Sequence, residues 1–289
     1  MRVDLHVHTV HSGLCTVPGL SRVCRESYNE PRALYQTLKA RGMDLVTVTD
    51  HDSIDAAEEL RHYPDFFLSE EVTCTLPSGT EMHAGVYGIQ EADHTELQRR
   101  RHDVESLLAY CTERSLFVSV NHIYSSLTGR RTQEDFDLFA SSFHGVETQN
   151  GQILRVANKL AAQFAARYDK PAIGGSDAHT LHGAGKTWTE VRGAANAQDF
   201  LAGVRRGHGL AEGESGDYMK LTTAVFGIGG SFLRNNARMA ALGALFPLAA
   251  AVTLGNYFCE LAFAWYWGAK HRALEPAGLT QPAGAEVTL

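Results

Sequence analysis

The 289-residue chain is 44% hydrophobic and 20% charged, a globular composition that excludes a disordered, collagen-like or coiled-coil protein. The length fits one large α/β domain with an appendage. The formal charge of −7 is uneven: residues 220–272 hold Lys220, Arg234, Arg238, Lys270 and Arg272 against one acid, Glu260, so the remainder is still more acidic and a poor default partner for a long nucleic-acid backbone.

In chain order, short apolar runs alternate with helix-like stretches as far as about residue 212. The runs are 3–7, 45–49, 66–68, 84–89, 116–120, 146–148 and 172–174. Pro31 begins a helix that ends near Gly42, Asp52 or Ser53 is the candidate cap of another, and Thr95 opens a long one reaching Ser115. Repeated βα units predict a parallel sheet, open or closed into a barrel. From Thr222 the texture changes to Ala, Gly, Leu and aromatics, with no charge from Met239 to Cys259. That length suffices for a membrane-spanning helix, although Pro247, Gly255 and Asn256 weaken it. Trp265-Tyr266-Trp267 with Lys270 and Arg272 suits a membrane interface, and a buried helical cap explains the cluster nearly as well. Gly227-Ile228-Gly229-Gly230 lacks dinucleotide-binding spacing and reads as a hinge. The expected division is a hydrolase barrel over 1–215, an apolar helical extension over 216–272 and a flexible tail over 273–289.

The five cysteines (Cys15, Cys24, Cys74, Cys111, Cys259) form no CxxC pair, which argues against both a disulfide framework and a Cys-type zinc site. The N-terminus opens into a strand-like run with no secretory h-region, so the expected location is the cytoplasm, with membrane contact open to residues 222–272. The chemistry-bearing residues sit where apolar strands stop. Asp4-Leu5-His6-Val7-His8-Thr9 sets two histidines on one face of a strand. Thr49-Asp50-His51-Asp52 and Gly175-Ser176-Asp177-Ala178-His179 close two further runs. Glu70-Glu71, His83, Asn121-His122 and Asn150 occupy corresponding positions on the middle strands. Six of the 14 histidines lie at these ends, and in a β/α barrel such ends share one rim, where active sites assemble. Arg130, Arg131 and Lys186 lie in loops on that rim and are candidate contacts for a substrate phosphate, with solvated surface charge as the alternative.

Read together, DLHVHT, TDHD, Glu71-Val72-Thr73, His83, Asn121-His122, Glu147 to Asn150 and GSDAH resemble the polymerase and histidinol phosphatase (PHP) family of metal hydrolases. The resemblance implies a distorted seven-stranded β/α (TIM-like) barrel, here with a C-terminal apolar helical extension. It also implies two or three divalent ions and phosphoester hydrolysis. By the same resemblance a first metal falls to His6, His8, Glu71 and Asp177, and a second to Glu71, His83 and His122. His51 and His179 hold a third, and Glu71 is preferred over Glu70. The family often has another third-metal ligand five or six residues after the HxH pair, where this chain has Gly13 and Leu14. Neither His11 nor Cys15 has the expected spacing, so a two-metal centre is a serious alternative.

Imidazole and carboxylate ligands suit manganese, iron or zinc. Ions bridged by a carboxylate lower the pKa of a shared water and stabilise an in-line displacement at phosphorus. His51, Asp177 and His179 are the candidate catalytic residues, and either histidine, freed from a metal, can protonate a leaving alkoxide. The expected substrate is a small phosphorylated metabolite or nucleotide. The alternatives are a nuclease acting on nucleic-acid ends and a non-catalytic metal-binding module with a membrane or partner docking tail.

Overall fold

The computed structural model describes residues 1–15 and 21–273; most of the tail expected from residue 273 onward lies outside them. Five strands, β2 (Ser69–Thr75), β3 (Glu81–Tyr87), β4 (Phe117–Val120), β5 (Gly145–Asn150) and β6 (Ala172–Gly175), form one sheet in sequence order. A second sheet pairs β1 (Arg2–Val3) with β7 (Thr187–Glu190), and β7 with β8 (Leu210–Gly213). Neither β7 nor β8 figures among the apolar runs read from the sequence.

Parallel pairing holds for β4–β5–β6, whereas β2–β3 and β3–β4 are antiparallel. The β2–β3 exception follows from its connection. Residues 76–80 make a tight turn, with Leu76 N donating to Thr80 O at 2.8 Å and Gly79 at φ +81°, far too short for a parallel crossover.

The closed seven-stranded barrel implied by the resemblance is not present as a continuous ladder. The sheets are joined by isolated bridges, Val7 with Ala178, Val46 with Phe66 and His51 with Glu71. Side chains take over backbone donors at these joins: Val7 N donates to Thr49 Oγ1 at 3.0 Å, Thr9 N to Asp50 Oδ1 at 2.6 Å and Ser176 N to Asp4 Oδ1 at 2.8 Å. The polar residues that interrupt the ladder are those of the sequence motifs.

Helix α1 (Pro31–Ala40) starts on its proline and is followed by Gly42 at φ +82°, as the sequence predicts. Helix α2 (Ala57–Leu60) starts later than a cap at Asp52 or Ser53 requires. Asp52 sits at φ +53° and accepts from Thr73 N at 2.9 Å, which ties it to β2 instead. The helix expected from Thr95 to Ser115 is two, α3 (Glu91–Arg100) and α4 (Val104–Glu113), broken where Asp103 caps α4 by accepting from Ser106 N at 3.1 Å. Helices α5 (Gln133–Ser142), α6 (Arg155–Arg167) and α7 (Ala197–Arg205) complete the main domain.

The C-terminal region folds as α8 (Tyr218–Asn235), a 3-10 segment (Ala237–Leu245) and α9 (Phe246–Ala273). The glycines read as a hinge are helical, inside α8. A Cβ on Gly229 would approach the Phe246 ring to 3.0 Å, so the small residue admits that ring, which stacks on Phe226 at 5.0 Å. The run Arg238–Ala273 is long and apolar enough to cross a membrane by length and composition, with mean hydropathy 1.6 in its most apolar window.

Its two halves have different surroundings. Leu248, Val252 and Phe258 are exposed, whereas Ala264 and Trp267 belong to the main core, with the Trp267 ring 4.6 Å from Phe136. Gly268 packs on Leu160, and Glu260, buried, accepts from the backbone and hydroxyl of Ser126. The boundary expected at residue 215 therefore does not separate two cores. Trp267→Ala should lower unfolding stability by roughly 3–5 kcal/mol, the usual cost of emptying a large buried aromatic site. Chemical denaturation checks this, and an unchanged midpoint would mean that α9 rests on the surface.

Candidate metal centre

The motif residues converge from two kinds of position: His122 and Asp177 follow the ends of β4 and β6, whereas Glu71 and His83 lie inside the paired strands β2 and β3, two residues apart in register. His6 and His8 alternate with the buried Val7, and His8 N donates to Ala178 O at 3.3 Å, which draws the GSDAH segment alongside. His122 and Asp177 take φ of +35° and +50°, a left-handed conformation that turns each side chain off its strand end at some cost in strain. Alternation along β2 separates two neighbouring acids. Glu70 turns away to His94 Nδ1 at 2.8 Å and Gln98 Nε2 at 3.0 Å, whereas Glu71, fully buried, points into the cluster.

Glu71 is the centre of the arrangement. Its Oε2 lies 3.0 Å from His6 Nε2, 3.5 Å from His8 Nε2 and 3.3 Å from His51 Nδ1. Its Oε1 lies 3.5 Å from His83 Nδ1 and 3.4 Å from His122 Nε2. Asp177 Oδ1 lies 3.6 Å from His6 Nε2, 3.3 Å from His8 Nε2 and 3.6 Å from His179 Nδ1. All eight sequence-predicted ligands are thus brought together. Four overlapping sets have ligand atoms close enough to hold an ion: His6 with His8 and Asp177, His6 with Glu71 and His122, His51 with Glu71 and His83, and His8 with His51 and His179.

The donor chemistry fits divalent ions. His8 Nε2, His51 Nδ1, His83 Nδ1 and His179 Nε2 are buried with no hydrogen-bond partner, so these four nitrogens have lone pairs or protons directed at nothing but the cluster. Burial opposes ionisation of Glu71, yet the imidazoles of His6, His83 and His51 and a hydrogen bond from His122 hold its carboxyl well below the usual range. Burial likewise opposes protonation of His6, and Glu71, Asp177 and Glu147 overcome it, raising its pKa well above the ordinary value. His51 goes the other way, pulled down to about 3 mainly by burial.

A surrounding layer fixes the orientations. His6 Nδ1 bonds Glu147 Oε1 at 2.7 Å and His8 Nδ1 bonds Ser12 Oγ at 2.9 Å, while Ser12 Oγ donates to Asp50 Oδ1 at 2.7 Å. Asn121 donates to Glu71 Oε1 at 2.8 Å, and Asn150 to Asp177 Oδ2 at 3.1 Å and Glu147 Oε2 at 2.9 Å. Such partners hold an imidazole in one tautomer and make it a better ligand.

One carboxylate was not found from the sequence. Glu26 places its oxygens 3.6 Å from both His51 Nε2 and His179 Nε2. It reaches them because residues 13–15 pair back on 24–26: Leu14 bridges Arg25, Cys15 N donates to Cys24 O at 3.0 Å, and Glu26 N donates to Gly13 O at 3.2 Å. A carboxylate thus approaches the His51–His179 side from farther along the chain, although Glu26, like His11 and Cys15, belongs to none of the four sets. Burial works against ionisation of Glu26, but His179 and His51 bring its pKa down to about 2. Spacing from the HxH pair gives no signal for it.

The three candidate phosphate contacts separate. Arg131 is buried, donating to Glu81 O at 2.9 Å and to Thr128 Oγ1, and burial pulls its guanidinium down to about 10, so it clamps its own loop to β3 and is withdrawn as a phosphate contact. Arg130 is exposed. Lys186 is half-buried, with Nζ 3.2 Å from His182 Nε2.

Glu26→Gln should remove one ion equivalent and leave the others, because Glu26 touches only the His51 and His179 side of the cluster. Elemental analysis of variant and parent decides it, and equal metal content would show that Glu26 is not a ligand.

A family model described as PHP-associated matches residues 155–208, the segment carrying Asp177 and His179. The uncharacterised protein MJ1587 of Methanocaldococcus jannaschii is 34% identical over 72 residues, which cover 25% of this chain and 41% of that protein, so the match spans about two fifths of the relative's length. Among solved structures, PsfC from Pseudomonas syringae superposes with TM-score 0.53 at 19% identity, over 78% of this chain and 95% of the other. A two-domain protein from Bacteroides vulgatus containing a predicted PHP-like metal-dependent phosphoesterase gives 0.55 at 17% identity, over 78% and 69%. The lesion-specific endonuclease PfuEndoQ from Pyrococcus furiosus gives 0.50 at 16%, over 71% and 55%. At these identities the superpositions speak for the fold. The PHP-associated match over residues 155–208 and the shared fold agree with the resemblance to the PHP family carried by the motif residues.

Proposed function

We propose that the chain is a metal-dependent phosphoric ester hydrolase, a phosphatase or phosphodiesterase acting on a small phosphorylated molecule. The observation that carries this reading is Glu71, whose two oxygens face separate histidine groups, one formed by His6, His8 and His51 and the other by His83 and His122. In this reading Glu71 would be shared by two ions. His6, His8 and Asp177 would hold the first with it and His83 and His122 the second, while His51, His179 and Glu26 would offer a third position. Manganese, iron and zinc all suit this donor set. When bound, such ions activate water as a nucleophile and neutralise charge developing at phosphorus.

The protein's own contribution is positional. Glu147, Asn121 and Asn150 hold His6, Glu71 and Asp177 in place through direct hydrogen bonds. His179 lies at the partly open side of the cluster, its pKa raised to about 9 because Glu26 and Asp177 outweigh the effect of burial. Where no third ion is held there, His179 is positioned to give a proton to a departing oxygen. All five cysteines are free, which supports a reducing compartment such as the cytoplasm.

A nuclease is the second reading, favoured by the fold shared with the Pyrococcus endonuclease. The acidic main domain disfavours it, and an assay on oligonucleotides across a range of salt separates the two. Protein grown with added manganese, iron and zinc should carry two or three ions and release phosphate or alcohol from small phosphoesters. Glu71→Gln should lower metal content and turnover together, by roughly a hundredfold in rate. A variant that keeps its metal and its rate would defeat the bridging assignment.

A further inference from the structure

A cavity of about 750 Å³ lies between the rim and the C-terminal helices. One wall is the start of α6 with Arg155, and another the segment after the GSDAH motif with His182 and Lys186. The third comes from Met219 and Lys220 on α8 and from Tyr257 and Leu261 on α9. Leu154 bridges Gly216 at its base. Leu154 follows Asn150 by four residues and His182 follows His179 by three, so the cavity wall and the metal cluster draw on the same two chain segments, with no cluster residue in the wall itself.

Its charges do not cancel. The two acids in the wall are engaged: Glu214 lies 3.1 Å from Lys220 Nζ, and Asp217 caps α8 by accepting from Lys220 N at 2.8 Å. Arg155 and Lys186 form no ion pair among the described residues, and the only polar contact of Lys186 Nζ is the His182 ring. Helix α6 begins at Arg155 with neither a side-chain cap nor an acid in its first turn, so its positive end adds to theirs. The remaining wall is apolar: Leu154, Val156, Leu261, the Tyr257 ring and Met219, which is 67% exposed.

Beyond it the α8–α9 hairpin continues as exposed hydrocarbon at Leu248, Val252 and Phe258. The exposed part of α9, residues 246–258, measures roughly 20 Å, less than the roughly 30 Å of a bilayer core. On a membrane surface, a stretch of that length would reach into one leaflet and not across both.

We propose that this cavity binds the phosphate-bearing head of an anionic amphiphile, with Arg155 and Lys186 as its anion contacts and the apolar wall leading the attached chain toward the hairpin. This rests on the hydrolase reading and names its substrate class: a phosphorylated lipid taken from a membrane surface.

The test is calorimetric titration of the full chain with short-chain dihexanoyl phosphatidic acid, and separately with inorganic phosphate. The lipid should bind saturably and at least about tenfold more tightly than inorganic phosphate, because only the lipid buries apolar surface. The double variant Arg155→Ala/Lys186→Ala should bind the lipid at least about tenfold more weakly. Arg155→Lys/Lys186→Arg should recover much of the affinity, and metal content should match the parent in both. The proposal is overturned by equal affinity for lipid and inorganic phosphate, by unaltered binding in the alanine variant, or by no saturable binding of lipid. Intact lipid binding by a parent protein that hydrolyses no phosphoester would sink the hydrolase reading and leave this site standing.

Discussion

Everything in this molecule is arranged around the burial of one carboxylate. Glu71 has no solvent exposure, and a lone ionised acid in such a place would be intolerable without compensating charge. Five imidazoles lie within 3.5 Å of its oxygens, each from a different stretch of chain except the His6 and His8 pair, and of these His6 and His83 have their charged form favoured while His8 and His51 are held toward neutrality by burial. Meeting that demand requires the ends of most strand segments to reach one rim. The cluster is therefore a reason for the architecture as well as its product, and the isolated bridges between the two sheets mark where side-chain recruitment displaced regular pairing.

The ligands were legible in the sequence because each interrupts or adjoins an apolar run, and apolar runs predict where strands stop. His6, His8, His51, His122, Asp177 and His179 are all polar residues placed where hydrophobic periodicity breaks. The choice of Glu71 over Glu70 rested on the resemblance and agrees with strand alternation, which sends Glu70 to His94. Glu26 was invisible for the opposite reason. Its role depends on a short antiparallel return between residues 13–15 and 24–26, a tertiary event that no spacing rule from the HxH pair encodes.

Strand direction was misread between β2 and β3 because turn length, not apolar content, decides it. The two halves of α9 were illegible for a related reason: the helix is apolar nearly all round, so composition cannot say which side meets the core. Trp267 and Gly268 find Phe136 and Leu160, whereas Val252 and Phe258 find nothing. Only the packing distinguishes them.

Glu260 gives the apolar helix a property that its hydrocarbon residues lack. It is the single acid between Lys220 and Arg272, and it grips the backbone and hydroxyl of Ser126, four residues beyond His122. Sliding α9 deeper into an oily phase would require stripping that carboxylate from its donors and carrying it below the headgroups, at a cost of a few kcal/mol. Before Glu260 most of the helix is exposed, whereas after it Ala264, Trp267 and Gly268 pack on the core while Trp265 and Tyr266 still face outward. Were the hairpin to meet a membrane as proposed, the position of one glutamate would act as a depth stop, limiting how far the metal cluster could be drawn toward the surface.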